Sequence, residues 1–141
     1  MNERIGLTGV QDTPLDTPTI ADSIRNDAAG ALVVFEGIVR NHDDGRGVTG
    51  IEYSCHPSAA QVVDEVAAEV AQRHPECRVA VVHRVGELAI GELAMVAVVA
   101  SPHRAQSFAA IADVVDTVKE KLPVWKRQIF TDGTHEWVGS A

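Results

Sequence analysis

The residues best suited to chemistry fall in one short run, Lys119-Glu-Lys-Leu-Pro-Val-Trp-Lys-Arg-Gln128. The chain has twelve Lys and Arg residues, and only Lys119, Lys121 and Lys126 are lysines. All three lie in this run with Arg127, while the other arginines are scattered. Uniform solvation does not call for such grouping. A site that binds an anion, or that needs an amine able to lose its proton, would. A second candidate is Ser101-Pro-His-Arg104, where an apolar run gives way to a helical pattern. Ser101 can cap that helix and Pro102 suits its first position. His103 and Arg104 then fall in the first turn, among unpaired backbone N–H groups that suit a phosphate. The helix dipole disfavours cations there, which favours a ligand or an ion pair over a merely solvated junction. Arg40 ends another apolar run and faces the turn-rich segment 41–47; read alone, it also fits a surface arginine.

Other chemistries lack support. His42, His56, His83, His103 and His135 do not have zinc spacing, so no metal is expected. No G-x-S-x-G, Walker A or G-x-G-x-x-G motif occurs, so neither a nucleophilic serine nor a nucleotide cofactor is indicated. Cys55 and Cys77 form no C-x-x-C and read as free thiols in a reducing cytosol. Trp125 beside Lys126 offers a flat wall for a heterocycle, or equally a core-edge aromatic.

The elements that position these groups follow from periodicity. Phe108, Ile111, Val115, Val118 and Leu122 are spaced for one apolar stripe of a long helix over 102–122, stopped by Pro123. Lys119 falls inside that stripe, and Lys121 points to the solvated side with Asp113. This makes Lys119 a lysine on the buried face of the last turn. It could serve chemistry, snorkel over the core edge, or satisfy the helix C-terminus. Upstream, strands are expected over 4–9, 31–40, 48–55, 78–85 and 93–100, and Gly37 marks a bulge. A short helix opens at Thr17-Pro18 and ends at Gly30. A second opens at Pro57 with Ala59, Val62, Val63, Val66 and Val70 as its buried stripe. Residues 86–91 read as a loop, and 128–138 as a C-terminal β-hairpin with a Gly-containing turn. Strands and helices mix without strict alternation, so the class is α+β. A length of 141 residues suits a single domain, 1–141.

The net charge of −8 argues against general nucleic-acid binding. From His103 to Arg127 the chain nevertheless carries five basic and three acidic residues, +2, which leaves −10 elsewhere. A locally basic site on an acidic protein suits a small anionic ligand. No signal pattern and no apolar run of membrane-spanning length is present, so a cytoplasmic location without membrane attachment is expected.

Together, Phe35-Glu-Gly-Ile-Val-Arg-Asn-His42, His83-Arg-Val-Gly-Glu-Leu88, Ser101-Pro-His-Arg104 and Lys119-x3-Pro-x-Trp-Lys-Arg127 resemble the large, catalytic subunit of molybdopterin synthase. The match covers about 31–138. The resemblance implies an α/β-hammerhead fold and a homodimer of large subunits within a heterotetramer. Each large subunit would hold a small ubiquitin-like partner whose C-terminal Gly-Gly thiocarboxylate enters the active site. The implied reaction transfers two sulfurs onto cyclic pyranopterin monophosphate to form the dithiolene of molybdopterin, with no further cofactor. Carried over residue by residue, Lys119 and Lys126 match the active-site lysines. Arg40, His103 and Arg104 match substrate and phosphate contacts, and Ile38, Val39, Arg127 and Gln128 match positions lining the same site. Gln128 stands where the family commonly has an acid. A lysine partly desolvated beside other cations should have a lowered pKa, which suits Lys119 as general acid/base or thiocarboxylate holder and Lys126 as a binder of tail or substrate charge. A non-catalytic module binding an anionic metabolite or a partner's tail is the competing reading.

Overall fold

The computed structural model describes residues 3–139. The chain runs β1 (Ile5–Gln11), α1 (Thr17–Asp22), β2 (Ala31–Ile38), β3 (His42–Asp43), β4 (Arg46–Cys55), α2 (Ala59–Arg73), β5 (Arg78–Arg84), β6 (Gly86–Ala89), β7 (Leu93–Ser101), α3 (Arg104–Lys121), β8 (Val124–Phe130) and β9 (His135–Val138). The α+β class and three helices are as expected; the C-terminal hairpin is present, but its first strand begins at Val124 rather than Gln128.

One sheet has the order β1-β5-β7-β2. Its single parallel pair is β1 with β5, and its other pairs are antiparallel. The central strands β5 and β7 are apolar on both faces because both faces are covered. Val79, Val81, Ala97 and Val99 face the main core with α2 and α3. Ala80, Val82, Val96 and Val98 face a smaller core under α1 with Leu15, Ile20 and Ile24. The second sheet has the order β3-β4-β8-β9, and β6 also pairs with β4. No helix of the described residues is long and apolar enough to cross a membrane.

Several local expectations are corrected. Residues 86–89 are a strand, because Gly86 (φ 95°) turns the chain so that Glu87 and Leu88 pair with Glu52 and Ile51. The segment 41–47 is a tight hairpin, with Asp44 (φ 50°) and Gly45 (φ 77°) at its tip and His42 opposite Gly47. Helix α1 ends at Asp22, where the Ser23 hydroxyl donates to the Ile20 carbonyl. Gly37 does sit at a register break against β7. Cys55 is exposed and Cys77 buried.

The helix that carries Lys119 is rotated from its expected setting. Its buried face is Ser107, Ala110, Val114, Thr117 and Val118, while Phe108 is 56% exposed. At about 100° per residue this turns the core face by roughly a quarter turn. Lys119 is therefore exposed rather than on the buried face. Lys121 and Asp113, expected on the solvated side, instead face α2. Lys121 pairs with Glu69 at 2.9 Å, and Asp113 with Arg73 at 2.9 Å. The helix begins at Arg104 with His103 as its N-cap, not at Pro102. The His103 N–H donates to Gln106 Oε1 at 3.1 Å, and the Ser101 hydroxyl donates to the His103 carbonyl.

Candidate active site

Strand alternation and the end of α3 build one pocket of about 300 Å³. On β8, successive residues face opposite sides. Lys126 and Gln128 point into the pocket, opposite Tyr53 and Ile51 of β4. From α3, Lys119 reaches the same space past the helix's last turn. The end of β2 brings Phe35, Ile38 and Val39, and the chain beyond it brings Arg40. The β3–β4 hairpin adds His42 and Asp43, and His83 and Met95 close the pocket from β5 and β7. The result is an apolar wall facing three cations, Arg40, Lys119 and Lys126.

Electrostatics follow from this crowding. Lys126 is held below the ordinary lysine pKa, chiefly by burial. Lys119 and Arg40 push it the same way, and the Asp43 carboxylate opposes them. His83 is 2% exposed, and burial lowers its pKa to about 4, with Lys119 adding to the effect. Its Nδ1 lies 2.7 Å from the Arg84 carbonyl oxygen. A carbonyl only accepts, so Nδ1 carries the proton and Nε2 keeps its lone pair. Tyr53 packs edge-on to this ring at 5.0 Å, and burial raises its phenol pKa. Asp43 is held below the usual carboxylate range, first by the Gln128 amide and then by the Arg40 guanidinium.

Of the residues proposed from sequence, the fold brings Ile38, Val39, Arg40, Lys119, Lys126 and Gln128 together. Arg127 sits on the opposite face of β8. It pairs with Glu52 at 3.5 Å, and its guanidinium lies 5.9 Å from the Trp137 ring centroid. His103 and Arg104 lie at the start of α3, sixteen and fifteen residues before Lys119. At about 1.5 Å per residue, that is about 22 Å along the helix. Sequence reasoning overlooked Asp43, Tyr53 and His83. His83 follows an apolar run that alternates between two buried faces, a signal available in the sequence.

Known proteins share this chain's sequence pattern and fold. The model of the family described as MoaE protein matches residues 10–121. The chain belongs to the MoaE family. A molybdopterin synthase catalytic subunit from Nostoc is 36% identical over 127 residues, 89% of this chain and 77% of that protein. The crystal structure of molybdopterin synthase from Staphylococcus aureus superposes with a TM-score of 0.88 at 30% identity, covering 94% of this chain and 96% of that one. A Helicobacter pylori chain shares the MoaE fold at a TM-score of 0.68 and 17% identity, covering 96% of this chain and 89% of its own. Its structure is of a protein–protein complex of subunits 1 and 2 of molybdopterin-converting factor.

Proposed function

We propose that this MoaE-family chain is the catalytic subunit of a molybdopterin synthase, acting as one domain in the cytoplasm. Its substrate is cyclic pyranopterin monophosphate. Its sulfur comes from the C-terminal Gly-Gly thiocarboxylate of a small ubiquitin-like partner. The observation that carries this reading is the convergence of Arg40, Lys119 and Lys126 on one pocket with an apolar wall. Cationic groups suit the phosphate and the thiocarboxylate, and Phe35, Ile38 and Met95 suit the flat pterin. Neither cysteine lines this pocket. A sulfur donor outside the chain fits that arrangement.

The roles follow from placement. Lys119, at the helix end, meets the incoming tail and serves as its holder or as acid/base. Lys126, half-buried, binds substrate charge, and burial brings its ammonium closer to giving up a proton. Ile38, Val39 and Gln128 shape the wall around them. His103 and Arg104 lie about 22 Å from Lys119 along α3. One chain cannot close both ends of that helix on one small ligand. In the homodimer of the proposed heterotetramer, a second copy supplies them as a phosphate contact. Arg127 supports β8 through Glu52.

The test is turnover. The protein is mixed with thiocarboxylated small subunit and cyclic pyranopterin monophosphate, and dithiolene product is quantified for wild type and Lys119→Ala. Product from wild type and a loss of about a hundredfold or more in the variant is expected, in the range for removing a group that acts on the reacting atoms. Binding of pyranopterin without product from wild type would leave the protein a binding module.

A further inference from the structure

Among the described residues lining the pocket there is one acid, Asp43. It belongs to a strand only two residues long. The turn at Asp44 and Gly45, both with positive φ, folds that strand onto β4. Both oxygens of its carboxylate are engaged. Oδ1 accepts from Arg40 Nη2 at 3.1 Å, and Oδ2 accepts from Gln128 Nε2 at 2.8 Å. The first bond is local, while the second joins residues 85 positions apart. Arg40 is otherwise well exposed, with 67% of its side chain accessible, so little else orients its guanidinium.

We propose that Asp43 is a positioning residue of this pocket: its carboxylate aims Arg40 at the ligand, locks Gln128, and places a negative charge among the cations Arg40, Lys119 and Lys126. The titratable and charged groups that line the pocket with Lys126 are Asp43, Arg40 and His42 from the hairpin side, Lys119 from α3, Tyr53 from β4 and His83 from β5. Only Asp43 among them carries negative charge near neutrality, and its field opposes the effect of Lys119 and Arg40 on Lys126. An ion pair this exposed adds little to folding stability. Its contribution is therefore to the site.

The hydrogen bond between Asp43 and Gln128 suggests the test. Asp43→Asn keeps the shape and leaves an oxygen to accept from Gln128, but removes the charge. Adding Gln128→Glu returns a carboxylate at the other end of the same hydrogen bond, with its direction reversed. The first readout needs no substrate: the Lys126 side chain is titrated by NMR in wild type, Asp43→Asn and the double variant. Lys126 should titrate at lower pH in the single variant, because loss of a nearby opposite charge disfavours the ammonium, and should return in the double. The second readout rests on the function proposed above. Asp43→Asn should lose about tenfold in kcat, the scale of one charge-assisted hydrogen bond, without a rise in KM, because the pocket has become more positive. The alkaline limb of its pH profile should move to lower pH. The double variant should recover both. Unchanged Lys126 titration in a folded Asp43→Asn protein would overturn the proposal. So would a folded double variant no better than the single one, with both melting as wild type does. If wild type shows no turnover at all, the proposed function fails, while the titration still decides the place of Asp43.

Discussion

Asp113 offers a sharp test of how the helix bearing Lys119 is held. Its carboxylate receives Arg73 through two parallel bonds of 2.9 Å, His74 Nε2 at 2.9 Å and the Thr117 hydroxyl at 3.1 Å. These contacts, the Arg73 bonds first, lower its pKa from 3.8 to about 2. At about 1.4 kcal/mol per pH unit, the difference corresponds to about 2.5 kcal/mol. The side chain is 25% exposed, and solvent screening reduces the figure to about 1–2 kcal/mol. Because the folded-state value is depressed, this stability is present above pH 3.8 and is lost as pH falls through about 2. Asp113→Asn should therefore be about 1–2 kcal/mol less stable than wild type at pH 7. The gap should close steadily below pH 4. Urea unfolding followed by circular dichroism measures it, since guanidinium salt would screen the pair. Equal stability at pH 7, or a gap that persists undiminished as the wild-type carboxylate protonates, would refute the assignment of this clamp to the Asp113 charge.

Two further outcomes are expected. In the proposed homodimer, co-expressed Lys119→Ala and Arg104→Ala chains should pair to give mixed dimers with one intact pocket. Random assembly should then restore about a quarter of wild-type turnover if sites are shared across a two-fold axis; no recovery would show that Arg104 does not act from a second copy. Gly30→Ala should cost about 1–3 kcal/mol in thermal unfolding. Its new Cβ would sit 2.5 Å from the Pro102 carbonyl oxygen, a backbone atom fixed by the bond from Gly30 N–H to the Ser101 carbonyl; a variant as stable as wild type would mean this junction is free to shift.

What the sequence revealed depended on whether the signal was local. The apolar runs of β5 and β7, the bulge at Gly37 and the hairpin after Gln128 rest on short-range patterns and appear in the fold. Strand β6 rests on pairing with β4, far away in sequence, and its exposed Glu87 disguises it. The face that α3 buries differs from its apolar stripe for a packing reason. An apolar scale favours Phe108, but close approach to β7, β2 and α2 selects the small side chains of Ser107, Ala110 and Thr117. Once β8 is known to begin at Val124, strand alternation separates Arg127 from Lys126, and the helical rise alone could have separated Arg104 from Lys119. Asp43 could not have been found so simply. Its partner Gln128 reaches it only because β4 and β8 pair in one particular register.

The same alternation explains how an acidic protein can hold a cationic pocket. Four basic residues fall between 119 and 128, and the fold divides them into two pairs. Lys121 and Arg127 turn away from the pocket and are neutralised by Glu69 of α2 and Glu52 of β4. Those ion pairs tie the end of α3 and the middle of β8 to their neighbours. Lys119 and Lys126, each displaced from them along helix or strand, are thereby aimed inward. Half-burial of Lys126, with Lys119 and Arg40 adding to it, carries an electrostatic cost, visible in the lowered pKa of Lys126. An anionic ligand would relieve that cost on binding, so the proposed site should favour negative charge. A neutral pterin without the phosphate should accordingly bind much more weakly, and raising salt should weaken the charged ligand more than the neutral one.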